Sequence, residues 1–373
     1  MSITRVPFED VFADESGGNI KTLQSDYKAE GRFPVVDQGK ALIAGYVDDE
    51  KRICGNGKPA IIFGDHTRRV KFMDAPFCMG ADGVKVLRPK IDADLKYLYY
   101  YLKQLRLPDA GYDRHFKYLK RVEVVILPLF EQRRIAAILD KVDTLRTKRR
   151  EALVQLDRLA QSFFLDMFGD PKINSRGWPI VKLGEVLSYP LRNGISPSKS
   201  GKIEAQVLTL SAVTGSRFDE TSQKPGIFKS EISPDHTVNE NDFLICRGNG
   251  NLQLVGKGDF PARSMPGVAF PDTIIAARIS LEKTQRDYLR YVWGSTSIRD
   301  QIESLARTTN GTYKVNQTVV EGISFISPPI HLQNEFGLRI AKISRLAEVH
   351  RRALKEINSL FSSLQHRAFQ GKL

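Results

Sequence analysis

PLFEQRRIAAILDKVDTLRTKRREALVQLDRLAQSF, residues 128–163, and PIHLQNEFGLRIAKISRLAEVHRRALKEINSLFSSL, residues 329–364, align without a gap at an offset of 201 positions. The chain therefore contains a duplicated unit. In the first copy, positions 135, 138, 142, 145, 149, 152, 156, 159 and 163 read Ile, Ile, Val, Leu, Arg, Ala, Leu, Leu, Phe. That is the 3.5-residue period of a coiled-coil seam with one polar break. The second copy reads Phe, Arg, Ile, Leu, His, Ala, Ile, Leu, Leu at 336, 339, 343, 346, 350, 353, 357, 360 and 364. Its break, His350, aligns with Arg149 of the first copy. A weaker match sets Val6-Pro-Phe-Glu-Asp-Val-Phe over Val181-Lys-Leu-Gly-Glu-Val-Leu at an offset of 175, so the second copy has 26 more residues between its landmarks. Insertions of that kind belong in loops.

Each helix is expected to start after a proline, a residue tolerated at a helix entrance, and Gly169 after Phe168 suits a C-terminal cap. Two helices of about 38 residues, roughly 57 Å long, are expected. An apolar stripe of that length needs a partner, so the two helices are expected to pair with each other. Pseudo-twofold symmetry of a tandem duplication favours the antiparallel arrangement. The polar residues at the coinciding breaks, Arg149 and His350, are expected to set the register.

Residues 1–121 and 171–326 differ in composition from the helices. They are rich in glycine, β-branched and aromatic residues, with apolar runs Ala60-Ile-Ile-Phe63, Phe243-Leu-Ile-Cys246 and Ile274-Ile-Ala-Ala277 that predict short strands. Helical patches are expected at 94–105 and 287–305, making each part α+β. The expected organisation is a first domain over 1–121, a central spacer helix over 122–170, a second domain over 171–326 and a C-terminal spacer helix over 327–373.

The 373 residues are 41% hydrophobic and carry a net charge of +13, which excludes disorder as the main state. No run approaches the apolar length of a membrane span, and MSITRVPFEDVF has no signal-peptide order, so a cytoplasmic location is expected. Cys54, Cys78 and Cys246 have no CxxC spacing and are expected to be reduced, mostly buried thiols.

Motifs for catalysis are missing. No Gly-Lys dipeptide is followed by the Ser or Thr of a phosphate loop, no GxG pair has the third glycine of a dinucleotide fingerprint, and the six histidines form no HExxH. The Pro-Asp pairs at 108, 234 and 271 have no D/ExK downstream at nuclease distance, and no NPPY or DPPY string is present. Neither catalytic nor metal-binding residues are expected.

The positive charge is spread as +4 over 1–121, 0 over 122–170, +4 over 171–326 and +5 over 327–373. A polyanion would have to be held by local clusters. In the first domain these are Lys58 after Gly55-Asn56-Gly57, then His66, Arg68, Arg69 and Lys71, then Arg114, Lys117 and Tyr118 within 112–118. In the second they are Arg247, Asn249 and Asn251, and then Arg307, Thr308, Asn310, Tyr313 and Lys314. Arginine can bond guanine N7 and O6, and asparagine adenine N6 and N7, so these types fit major-groove reading. The competing reading is that the Gly-Asn and Asn-Gly strings are tight turns with solvated charges. The runs Thr147-Lys-Arg-Arg150 and Arg351-Arg352 suit either phosphates or a solvated helix face.

With the two-copy layout, Val124-Val-Ile-Leu-Pro-Leu-Phe-Glu-Gln-Arg-Arg-Ile135 and Phe163-Phe-Leu-Asp-Met-Phe-Gly-Asp-Pro171, the chain resembles the specificity subunits of Type I restriction-modification systems along essentially its whole length. That resemblance implies two target recognition domains in tandem and two long helices paired as an antiparallel coiled coil. It implies a non-catalytic subunit in which each domain reads one half of a bipartite duplex site. Two methyltransferase subunits would dock beside it, with Glu131, Gln132 and Gln333 as docking or spacer residues, and restriction subunits would complete the assembly. S-adenosylmethionine, ATP and Mg²⁺ would belong to those partners, with no cofactor in this chain. The second copy departs from the motif, having Leu332 before Gln333 where the first has Glu131 before Gln132. The alternative from another class is a coiled-coil protein scaffold that reads no DNA.

Overall fold

The computed structural model describes residues 4–108, 111, 113–198, 200–309 and 311–373. The chain divides into two compact units, Met1–Ala152 with His350–Leu373, and Leu153–Val349. The boundary falls within two long helices, Leu129–Phe168 and Ile330–Ala368, which hold the two repeated segments expected to be spacer helices.

The duplication is visible in the strand registers. In the first unit Thr4–Pro7 pairs antiparallel with Glu123–Ile126, placing Val6 opposite Val124 and Arg5 opposite Val125. In the second, Ile180–Lys182 pairs with Ser324–Ile326, placing Val181 opposite Phe325 and Ile180 opposite Ile326. The offsets of 175 and 201 found in the sequence are both preserved, residue by residue.

A four-stranded sheet of order Phe12–Asp14, Val84–Pro89, Ala60–Gly64, Val70–Met73 centres the first unit. Its second strand pair is antiparallel, with Ile61 opposite Leu87, and every residue of Ala60–Gly64 is buried. In the second unit the order is Arg192–Asn193, Ile274–Arg278, Asp242–Cys246, Gly258–Asp259. The three apolar runs are thus the central strands, as continuous burial on both faces requires. The expected helix over 94–105 is Leu95–Gln104, capped by the Asp94 carboxylate on the Tyr97 amide. The patch over 287–305 is two helices, Arg286–Trp293 and Thr296–Leu305, because the chain breaks at Gly294-Ser295.

The first spacer helix ends as expected, with Gly169 at φ +77° donating its amide to the Leu165 carbonyl at 2.8 Å. Within the first unit, its N-terminal half lies antiparallel to the end of the second helix. Arg134 bonds the Leu373 carbonyl, Arg146 bonds Asn358 at 2.8 Å, and Arg149 meets His350 at 3.3 Å. Within the second unit, Phe164 and Phe168 pack edge-on against Phe336, and Arg339 lies over Phe163. The two polar breaks expected to align do meet.

The seam itself is shifted at alternate positions. Positions 135, 142, 149 and 156 face inward, but their alternates are Leu139, Arg146 and Ala160 rather than 138, 145 and 159, with Ala152 and Leu153 both half-buried. The second helix shows the same shift, with Ile340, Ala347 and Phe361 inward. Leu139 is fully buried, whereas Leu145, Leu159, Leu346 and Leu360 are 43–50% exposed. The cause is visible at Arg146, whose guanidinium stacks 4.3 Å from the Phe361 ring centroid and so occupies the seam in place of Leu145. A long aliphatic stem under a charged head permits this.

An aromatic residue at or just past the end of each helix packs in a core. Phe168 packs 5.0 Å from Tyr288 in the second unit, and Phe369, its equivalent at offset 201, packs 5.3 Å from Tyr97 in the first. Both tyrosine hydroxyls donate to a carbonyl of the paired terminal strand, that of Val125 and that of Ile326. All three cysteines are buried and unbridged, and burial pushes each thiol up to about 11.

Candidate nucleic-acid interface

In the first unit the hairpin of Ala60–Gly64 and Val70–Met73 projects the turn that carries His66, Arg68 and Arg69. The turn closes through Arg68 N–H on the Gly64 carbonyl at 2.7 Å and Gly64 N–H on the Arg69 carbonyl at 2.8 Å. Arg68 takes the left-handed conformation, φ +57°, and its guanidinium donates to the Pro108 carbonyl. Arg69 is exposed.

Two residues the sequence did not single out hold this turn. The Gln38 side-chain oxygen accepts from the His66 amide, its carbonyl accepts from the Thr67 hydroxyl at 2.7 Å, and its amide donates to the Asp82 carbonyl. Asp65, 5% exposed, accepts from the Phe116 amide at 2.7 Å through Oδ1. Its carbonyl accepts from the His115 amide and from Nδ1 of the buried His115 ring. Asp65 thereby joins the 65–71 stretch to the 114–118 stretch, two clusters far apart in sequence. Arg114 and Lys117 are exposed there, with Lys117 paired to Asp113 at 2.6 Å and lying over the Tyr118 ring.

Lys71 departs from expectation. It is 7% exposed, and its ammonium donates to the Asp37 carbonyl at 2.6 Å. The reason is strand alternation: Lys71 shares the inward face with Met73, while Val70 and Phe72 point the other way. Burial pushes its ammonium pKa down against the pull of Asp37. Lys71 therefore secures the loop from inside and does not reach an outer surface. Lys58 is exposed, and the preceding Gly55, Asn56 and Gly57 form a tight turn with φ of +55°, +57° and +72°, as the competing turn reading expected.

In the second unit the two candidate loops form one platform. Gly248–Asn249 and Arg307–Thr309 flank Thr312–Lys314 in a three-stranded sheet. Gly248 and Arg307 lie opposite Lys314, and Asn249 and Thr308 lie opposite Tyr313. Cross-strand neighbours share a face, so one face groups Arg307 with Lys314 and the other groups Asn249, Thr308 and Tyr313. A Cβ on Gly248 would come within 3.0 Å of the Lys314 side chain, so glycine sets that close approach. Asn310 lies outside the described residues.

Arg247 leads from the central strand into this platform. Its amide donates to the Thr273 carbonyl, its carbonyl accepts from Val315, and its guanidinium donates to the Asp272 carbonyl at 3.1 Å. Asn249 Oδ1 accepts from the Asn251 amide and Asn251 Oδ1 from the Gln253 amide. Each side-chain oxygen thus spends one lone pair on a turn, leaving the amide hydrogens for an outside acceptor. At the other end of the same central strand, the fully buried Asp242 takes two bonds from Arg278, at 2.9 and 3.1 Å, and sits 2.6 Å from Arg192.

The remaining sequence candidates belong to the spacer helices. Glu131 is nearly buried and pairs with Arg134 at 2.8 Å. Gln132 and Gln333 are buried inside their own units, so neither presents a docking surface. Leu332, which replaces the acidic residue of the first copy, packs on the second unit's core.

Residues 5–155 match the family described as Type I restriction modification DNA specificity domain. That match covers the first part of the chain, which is similar there to the Type I specificity subunits. The chain is 25% identical over 272 residues to the Type I restriction enzyme EcoKI specificity subunit of Escherichia coli (strain K12), covering 68% of this chain and 58% of that one. It is 28% identical over 142 residues to the StySPI specificity subunit of Salmonella potsdam, covering 37% and 31%. The chain thus spans little more than half the length of these curated specificity subunits at most. Its fold is that of the specificity subunit from M. genitalium, with a TM-score of 0.60 at 15% identity over 99% of this chain and 96% of that one. Among the described residues, no helix is long and apolar enough to cross a membrane.

Proposed function

We propose that this chain is the DNA sequence-specificity subunit of a Type I restriction-modification complex. The recognition domain of residues 1–121 reads one half of a split duplex site and that of residues 171–326 reads the other. The paired spacer helices set the number of unread base pairs between them. The observation that carries this reading is the duplication: two copies with the same terminal strand registers, each ending in a basic surface built on a buried central strand.

In the first domain the reading surface is the turn of His66, Arg68 and Arg69 with Arg114, Lys117 and Tyr118, flanked by Lys58. In the second it is Arg247 with the platform of Asn249, Asn251, Arg307, Thr308, Tyr313 and Lys314. Arginine and lysine supply phosphate neutralisation, and arginine and asparagine also supply base-edge contacts. The chain itself is non-catalytic. Two methyltransferase subunits dock along the spacer, where Leu145 and Leu360 in the first unit and Val154, Leu346 and Val349 in the second leave apolar surface exposed. Those subunits would bind S-adenosylmethionine, and restriction subunits would use ATP and Mg²⁺.

The test is selection from a randomised duplex library by the full chain at two salt concentrations. Recovery of a split motif with one gap length supports the reading. With about six phosphate contacts, affinity falls roughly a thousandfold between 50 and 200 mM salt. A scaffold that reads no DNA enriches nothing and shows no such salt dependence.

A further inference from the structure

Nine positions are identical between residues 128–163 and 329–364, and Gln132 with Gln333 is the buried polar pair among them. They are 1% and 0% exposed. In the first unit the Gln132 amide donates to the Leu127 carbonyl at 2.7 Å, and its oxygen accepts from the Asp94 amide at 2.9 Å. In the second the Gln333 amide donates to the Pro328 carbonyl at 2.8 Å, and its oxygen accepts from the Gln285 amide at 3.0 Å and the Thr284 hydroxyl at 3.2 Å.

The partners correspond as well as the glutamines. Leu127 and Pro328 lie five residues before their glutamine. Asp94 and Gln285 are the N-cap residues of the domain helices Leu95–Gln104 and Arg286–Trp293. Those two helices carry Tyr97 and Tyr288, which tie them to the terminal strands. Each glutamine therefore joins three things: the first turn of a spacer helix, the strand leading into it, and the entrance of the domain's own helix. Its neighbour at the preceding position is not preserved, being Glu131 in one copy and Leu332 in the other.

We infer that Gln132 and Gln333 are positioning residues that fix the angle between each recognition domain and its spacer helix, and so restrict the complex to one gap length. The inference rests on the DNA-reading function proposed above. A buried amide with both ends used is directional, whereas apolar packing alone tolerates small rotations. One added base pair moves the far half-site by about 3.4 Å and turns it by roughly 34°. A joint that holds its angle refuses that change, and a joint with its amide removed yields to it.

The experiment is gap selection with the full chain, using duplexes in which both half-sites and the gap length vary. Wild type is expected to prefer one gap over its neighbours by about tenfold or more. Gln132→Met and Gln333→Met, made singly, keep the side-chain shape and remove both bonds. They are expected to recover the same half-site sequences, with the preference between adjacent gaps reduced to about threefold or less. Gln132→Glu, which keeps the acceptor for Asp94 and loses the donor to Leu127, is expected to fall between, and it serves if a Met variant does not fold. Variants that keep the tenfold gap preference, or that change a half-site sequence while the gap stays fixed, overturn the inference and leave the DNA-reading function standing. A wild-type chain that recovers no split motif overturns both.

Discussion

Asp65→Ala separates two accounts of the first recognition surface. The Asp65 carboxylate is nearly buried and accepts from the Phe116 amide at 2.7 Å, and Phe116 is itself 7% exposed. Removing the acceptor leaves a buried N–H without a partner, at about 1–3 kcal/mol. That loss falls on the link between the turn of Arg68 and Arg69 and the segment of Arg114 and Lys117. If it appears wholly in binding, affinity for the first half-site drops by roughly 5- to 150-fold. Asp65→Asn keeps the oxygen that accepts from Phe116 and is expected to stay within about threefold of wild type. Charge alone predicts the reverse sign. Taking a carboxylate away from a basic surface strengthens phosphate attraction, so both variants would bind more tightly. Equilibrium binding to duplexes altered in one half-site or the other decides between them. The reasoning is refuted if Asp65→Ala binds as tightly as wild type, or loses affinity equally through both half-sites.

Other outcomes follow from the same geometry. Leu139→Ala is expected to cost about 2–5 kcal/mol in urea unfolding, and Leu145→Ala less than about 0.5 kcal/mol; equal costs would restore the seam expected from sequence. Arg247→Ala is expected to weaken and relax reading of the second half-site alone, scored by selection, and equal losses in both halves would contradict the assignment of that loop. Cys54, Cys78 and Cys246 are buried with thiols pushed up to about 11, so the native chain at pH 8 is expected to resist thiol reagents until it unfolds. Fast labelling of any of the three would show that its surroundings open.

Much of the architecture was legible because duplication leaves two readings of each feature. The offsets of 201 and 175 fixed the helices and the terminal strand pair, and Gly169 fixed where the first helix stops. The seam phase was not legible at its alternate positions. Leu145 and Arg146 are adjacent, and hydrophobicity favours the leucine, but the Phe361 ring across the seam takes the arginine stem. The break at Gly294-Ser295 was missed because the residues on either side both read as helix.

The candidate site was legible in its cations and not in its supports. Arg68, Arg69 and Arg114 stand in basic strings and Arg247 and Arg307 beside Gly-Asn or Asn-Gly strings, whereas Gln38, Asp65 and Asp272 are single polar residues whose roles depend on partners distant in sequence. Lys71 shows the opposite error: its place in a basic string suggested an outward charge, and the alternation set by Met73 turned it inward. The Gly-Asn strings were ambiguous for a physical reason, since a side chain that closes a turn still has amide hydrogens to offer.

The most direct test of the account is the affinity of the full chain for its selected duplex compared with the same duplex carrying one base pair inserted between the half-sites. Two domains held by one spacer predict a loss of about tenfold or more, although every read base is still present. Unchanged affinity would mean that the halves are not read together, and the bipartite account would fail.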